Sequence, residues 1–307
     1  AIIGNKINRF SYQFGLRAEN TDIKTTLEQT NESNPRNYTN LFPSAHFTYK
    51  LAHENSLQIS YSRRVRRPRY NDLSPFMTFS DNRNFSSGNP DLNPEYTDAY
   101  ELGHVKFFDK GSFASSLYYR YTTDKIDRIR RVNSDGFAAT RPENLVDDHS
   151  FGAEFTSSFT LTKWWKLDFN VNFFRAITDG SNIQADYQSD TYAWFTRQTS
   201  RFSLAKKTDI QIRASYEAPR KTPQGEVKSL FFSDLSVSRD LFKGQGKLIL
   251  NVLDVFNSRR FRSITRGENF FTESNGQMRL RQINLTLNYR LNQAQQVTRR
   301  RIGGEEE

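Results

Sequence analysis

Four histidines, His46, His53, His104 and His149, are the first residues to weigh for catalysis or metal binding. None stands in an H-E-x-x-H arrangement or at another short spacing that would place two imidazoles on one metal. His149 is followed directly by Ser150, but adjacent residues of a strand project from opposite faces, so the two cannot act as nucleophile and base. Asp147-Asp148 and Asp124 with Asp127 fall near strand ends, where carboxylates usually face water or calcium-bridged headgroups. Lys110-Gly111 and Gly244-Gln245-Gly246 suit hairpin turns better than a phosphate-binding loop. Cysteine is absent, which removes disulfides, thiolate metal sites and a cysteine nucleophile. These residues predict a protein that is not an enzyme and that holds neither metal nor cofactor.

A different chemistry is concentrated between Arg66 and Phe79. Arg66, Arg67, Arg69, Tyr70, Phe76 and Phe79 place cations and aromatics on one irregular stretch, a combination common in recognition sites. Packing of Phe76 and Phe79 with Pro75 against neighbouring loops is the alternative. The stretch belongs to a loop of about thirty residues, far above hairpin length. On one side of it, Leu57, Ile59 and Tyr61 alternate with Gln58, Ser60 and Ser62; beyond it, Phe113, Ser115, Leu117, Tyr119 and Tyr121 alternate with Ala114, Ser116, Tyr118 and Arg120. Period-two alternation is the mark of a strand with two different faces.

The same pattern runs through the chain. Strands are predicted around Phe10–Thr26, Ala45–Leu51, Leu57–Tyr61, Tyr96–Phe108, Phe113–Tyr121, Phe151–Phe159, Trp165–Phe173, Tyr192–Leu204, Ile210–Glu217, Leu230–Leu241, Lys247–Asn257 and Gln282–Leu291. Tyr100 and Leu102 favour one register of the fourth strand and Val105 and Phe107 the other, so a bulge is expected there. Polar, turn-rich loops (TNESNPRNYTNLFPS, RVNSDGFAATRPENLV, TDGSNIQADYQS, APRKTPQGEV and Thr265–Gly276) alternate with tight turns such as Asp109–Ser112, Thr162–Trp164 and Lys206–Thr208. Long loops at one rim and short turns at the other are what a transmembrane, antiparallel, up-and-down β-barrel shows, here with about twelve strands, an even number that ends the chain at the short-turn rim. Trp164 and Trp165 fit an aromatic girdle at that rim.

Composition agrees. The 307 residues are 36% hydrophobic yet 14% aromatic, with 26 Phe and 14 Tyr, and the mean hydropathy is −0.77. Strands with one lipid-facing and one wet face average out in this way, and no run reaches the roughly 20 apolar residues of a membrane-spanning helix. The net charge of +10 is spread along the chain instead of clustering, so it does not suggest a nucleic-acid footprint. Arg17, Arg120, Asn170, Asn172 and Arg213 fall at the polar positions of their strands and are the candidates for a lumen lining. The opening AIIGNKINRF has no signal-peptide pattern, so the expectation is a mature chain or part of a longer one. Residues 292–307 have no apolar face and read as a disordered periplasmic tail after a barrel portion covering 1–291.

Gly88-Asn89-Pro90-Asp91-Leu92-Asn93-Pro94-Glu95, followed by Tyr100-Glu101-Leu102-Gly103, resembles the segment that enters a barrel strand in TonB-dependent outer-membrane receptors. Tyr61–Arg64 with Arg67-Pro68, Ser115–Asp124 and Asn251–Asn257 are similar to the receptor-like barrel family widespread in Bacteroidetes. The resemblance implies the C-terminal half of a barrel of about 22 strands, with a plug and a TonB-contacting region outside this sequence. It further implies outer-membrane lipid and a surface lipoprotein as partners, and uptake of a bulky siderophore, glycan or peptide. The ending departs from the family, because Leu291 stands where an aromatic residue usually closes the barrel. A passive barrel without TonB coupling and a soluble glycan-binding or adhesion module remain as alternatives.

Overall fold

The computed structural model describes residues 1–27, 32–204 and 207–291. The predicted tail at 292–307 lies outside them. Four strands open the chain: β1 (Ile2–Ile7), β2 (Phe10–Leu27), β3 (Glu32–Lys50) and β4 (Asn55–Arg66). The long loop follows, with a one-turn helix α1 (Tyr70–Leu73) and the short strands β5 (Thr78–Phe79) and β6 (Asn84–Ser86). Six long strands come next: β7 (Glu95–Phe108), β8 (Gly111–Val132), β9 (Ala138–Thr162), β10 (Trp165–Asp179), β11 (Gln188–Leu204) and β12 (Thr208–Glu217). The remaining strands are β13 (Arg220–Thr222), β14 (Gly225–Val227), β15 (Leu230–Leu241), β16 (Gly246–Leu253), β17 (Phe261–Gly267), β18 (Phe270–Gly276) and β19 (Gln282–Tyr289).

Leaving out the loop strands, thirteen of them form one antiparallel meander in the order β1-β2-β3-β4-β7-β8-β9-β10-β11-β12-β15-β16-β19. This sheet does not close: β1 and β19 each pair on one side only among the described residues. One rim carries tight reversals at Asn8-Arg9, 51–54, Asp109-Lys110 and Lys163-Trp164. Asn8, His53 and Glu54 adopt positive φ there, the left-handed geometry that tight turns need. The opposite rim carries the long connections, including a second, four-stranded sheet β13-β14-β17-β18.

Register fixes the two faces. Phe47 pairs Ile59, Ile59 pairs Leu102, and Leu102 pairs Leu117. One position over, His46 pairs Ser60, Ser60 pairs Glu101, and Glu101 pairs Tyr118. The first row stays open to its surroundings, with Ile59 and Leu117 each 58% exposed. An apolar stripe this continuous and this uncovered calls for an apolar phase against it. Aromatic neighbours line it, as in Phe14 against Phe47 at 5.4 Å and Tyr61 against Tyr100 at 5.0 Å. At the short-turn rim Trp164, Trp165 and Phe202 stack at 5.7–6.3 Å.

The structure corrects the sequence reading in several places. Ile2–Ile7 is a strand, which makes the meander thirteen-stranded, although the last strand still ends at the short-turn rim. Residues 32–44 and most of 131–146, expected as loops, are outer extensions of β3, β8 and β9. Their prolines misled: β3 meets β4 only from Ser44 onward, and β9 meets β10 only from Asp147 onward. Pro35, Pro43 and Pro142 therefore sit where the meander neighbour on one side is missing, the setting in which a strand tolerates proline. The expected bulge in the fourth strand is absent, since β7 keeps one register against both β4 and β8. Tyr100 and Leu102 set its face, and Val105 and Phe107 turn to the polar side near the short-turn rim. The strand expected over Lys247–Asn257 ends at Leu253, and Thr265–Gly276 is largely the β17–β18 hairpin.

Leu102→Arg, near the middle of β7 on the apolar face, should cost about 2–4 kcal/mol of membrane folding. Gln58→Arg, on the polar face beside it, should be tolerated. The fraction of protein that migrates differently boiled and unboiled reads both, and equal behaviour of the two variants would overturn the assignment of faces.

Candidate ligand-binding rim and polar face

The best-buried part of the molecule lies at the long-loop rim, where Gly88–Glu95 is clamped between the loop and the β8–β9 extension. Leu92 is 1% exposed and packs with Leu73 of α1 and Ile126 of β8. A Cβ at Gly88 would stand 2.5 Å from Ser74 O and 2.7 Å from Asp72 O, so only glycine allows this approach. Asn89, buried, donates from Nδ2 to Pro142 O and to Glu143 Oε2, each at 3.1 Å. Asn144 accepts from Asn93 N at 2.8 Å and donates to Asp124 O at 2.7 Å. Glu95, also buried, accepts from Ile126 N at 2.6 Å and from Arg66 at 2.8 and 2.9 Å. Farther out, Gln224 bridges the backbone of Arg130 and the Tyr187 hydroxyl at 2.8 Å each. The rim is thus a packed unit.

The six loop residues singled out by type separate into two groups. Arg66 is held by Glu95, and Arg67 by Glu19 at 2.6 Å and Thr21 at 3.1 Å. Arg69 caps α1, its N–H donating to Asp72 Oδ2 at 3.1 Å. These contacts anchor the loop. Tyr70 (74% exposed), Phe76 (53%) and Phe79 (64%) remain uncovered, with Phe79 resting on Phe85 at 5.7 Å. The turn below them is closed by Asp81, which accepts from Arg83 N, Asn84 N and Asn84 Nδ2. Those bonds, the Arg83 backbone N–H foremost, hold its carboxyl below the usual aspartate range.

On the sheet, the register places Arg17, Arg120, Asn170, Asn172 and Arg213 on the common polar face. Tyr118 joins two of them: the Arg120 guanidinium lies 4.2 Å over its ring, and its hydroxyl donates to Asn172 at 3.0 Å. Asn170 donates to Glu154 at 2.7 Å and Thr156 at 2.9 Å. Arg17 pairs with Glu19 at 2.8 Å over the Phe42 ring. Arg213 stands apart on β12, opposite Asp234.

Two of the four histidines make side-chain contacts within the sheet: His149 accepts or donates with the Tyr119 hydroxyl at 2.8 Å and lies against Tyr121 at 4.8 Å, while His104 meets Asn55 at 3.2 Å. Among the described residues no three metal-ligating side chains converge.

A family model described as an outer membrane protein beta-barrel family matches residues 1–289. No curated protein matches the chain. Among solved structures, the copper transporter OprC aligns with a TM-score of 0.65 and 18% identity over 92% of this chain and 45% of that one. The FrpB iron transporter from Neisseria meningitidis (F3-3 variant) aligns with a TM-score of 0.64 and 16% identity over 94% and 44%. The ferric citrate transporter FecA, unliganded, gives 0.64 and 11% over 91% and 42%. At such identities the similarity is one of fold, and the chain spans less than half the length of each.

Glu95→Ala should leave Ile126 N–H and Arg66 without their partner and cost about 2 kcal/mol, read as faster proteolytic nicking within 67–94; unchanged nicking would refute the clamp. Asp81 titrates lower folded than unfolded, so its contribution is complete at neutral pH and fades only as pH falls below about 4. Hydrogen exchange at Arg83 and Asn84, relative to intrinsic rates, should accelerate there, and Asp81→Asn should remove the transition.

Proposed function

The chain belongs to the outer membrane protein beta-barrel family, and from that premise we propose that it forms part of a TonB-dependent receptor that takes up a bulky nutrient. The location is the outer membrane. The observation that carries the reading is the division of one sheet into an exposed apolar face and a polar face bearing Arg17, Arg120, Asn170, Asn172 and Arg213, with every long connection at a single rim. The apolar face meets lipid and the polar face lines a lumen. Tyr70, Phe76 and Phe79 offer an exposed aromatic contact to an arriving ligand, presented on a loop fixed by the Arg66 and Arg67 ion pairs.

Among the described residues β1 and β19 each have one edge without a partner, which supports closure by further strands into a barrel of about 22, the size at which a plug is needed to seal the lumen. Energy then comes from TonB acting on a region outside this chain. The similar solved structures are transporters of copper, iron and ferric citrate, which supports transport of a scarce nutrient in a chelated or otherwise large form. A surface lipoprotein over the loop rim fits the same scheme.

The test compares a strain lacking the gene with one lacking TonB coupling, on a panel of limiting metal chelates, glycans and peptides. One nutrient should be lost in both. For that nutrient, Asn170→Leu should reduce uptake about tenfold or more, a lost binding increment of about 1.4 kcal/mol, with surface abundance and heat-modifiable migration unchanged. Equal loss of uptake and insertion would overturn the lumen assignment, and uptake independent of TonB would leave a passive barrel.

A further inference from the structure

A recess opens at the mouth of the polar face, between the outer ends of β10, β11 and β12 and the four-stranded sheet. Its volume is about 270 Å3, and Phe174, Ala193, Phe195 and Leu230 form its apolar wall. Arg220, Lys228, Arg260 and Arg262 also line it, against one carboxylate, Glu217. Lys228 is occupied by Glu226 at 2.5 Å. Among the described residues Arg220, Arg260 and Arg262 have no ion-pair partner, and Arg262 donates only to Ser229 O at 3.4 Å. The β14–β17 ladder continues in a bond from Lys228 N to Arg262 O at 2.9 Å, so the cationic segments are held side by side by backbone.

We propose that this recess binds the anionic end, carboxylate, phosphate or sulfonate, of a ligand that also carries a flat apolar body. Guanidinium forks suit such groups because they donate in a plane and are weakly hydrated. With four cations and one carboxylate in the lining, the recess carries an excess of positive charge that a bound anion offsets. The ring of Phe195 already bears the Arg197 guanidinium at 5.4 Å, and with Phe174 it offers a surface for a planar group. The inference deepens the uptake reading by naming a ligand class, and rests on it for the side of approach. No residue of the recess stands out in the sequence, because its cations come from β13, the β14–β15 link and the β16–β18 connection, each of which reads as an ordinary polar loop.

The intact protein, purified in detergent, is titrated with 1-naphthyl phosphate followed by fluorescence polarisation, with 1-naphthol as the neutral control. Saturable binding should weaken with added salt, fall tenfold or more in the Arg260→Gln/Arg262→Gln variant and fall less in Phe195→Ala. Heat-modifiable migration verifies that each variant is folded, and Arg220→Gln gives the same direction should the double variant not fold. No saturable binding by folded protein, equal binding by the double variant, or equal binding of 1-naphthol would each overturn the site. Binding retained while uptake proves independent of TonB would overturn the uptake reading alone; uptake retained with no anion binding would overturn the recess alone.

Discussion

Everything in this chain depends on a backbone ladder that stays intact while one face of the sheet is pressed against hydrocarbon. No water is present there to replace a missing partner, so each N–H and C=O must be satisfied by the neighbouring strand. The unbroken registers of β4–β7, β7–β8 and β10–β11 meet that condition. The single recorded slip in β9–β10 falls at Trp165/Lys166, beside the short-turn rim. Irregularity is displaced to the rims, where water and neighbouring loops can satisfy what the ladder leaves.

The ladder cannot organise the long-loop rim, and that rim uses a different device. Beyond Asp147 the β8–β9 hairpin stands clear of β10, and it serves as a post for other segments to fasten to. Leu92 and Leu73 pack with Ile126, and Tyr187 packs with Ile129 and Leu145. Asn89, Asn144, Glu95 and Gln224 satisfy the buried backbone groups that this packing exposes. Apolar contacts alone would leave those groups orphaned, and amides with two donors and an acceptor are suited to covering them. The GNPDLNPE segment is therefore a structural bracket, with Gly88 present for space and Glu95 for its buried carboxylate.

Alternation made the strand cores legible, because an apolar and a polar face demand opposite residue types at period two. Tight turns were legible for the same reason that Asp109-Lys110 leaves no room for anything else. The outer extensions were not. Above the lipid, β3, β8 and β9 no longer face an apolar phase, so Asn34, Asn37, Thr140 and Glu143 occupy strand positions that carry no hydrophobic period. Pro35, Pro43 and Pro142 reinforced the appearance of loops. At the site, residue type announced the cation-rich stretch at Arg66–Arg69 but not its use. Whether an arginine is free or paired depends on a carboxylate 48 positions away, as Glu19 is from Arg67.

The aromatic content has the same two-sided origin. On the apolar face rings lie against rings, as with Phe173 and Trp194 at 6.0 Å or Trp194 and Tyr216 at 4.8 Å. On the polar face rings support guanidinium groups: Tyr118 under Arg120 at 4.2 Å, Phe195 under Arg197 at 5.4 Å and Phe232 under Arg259 at 4.3 Å. A ring face is electron-rich and offers a cation some attraction without neutralising it. Among the described residues Arg120, Arg197 and Arg259 sit on rings with no ion-pair partner and keep their charge available, whereas Arg17 and Arg175 have both a ring and a carboxylate. Seating cations on aromatics lets a wet face remain positively charged while its side chains stay ordered, and ordered, unneutralised cations lower the cost of receiving an anion.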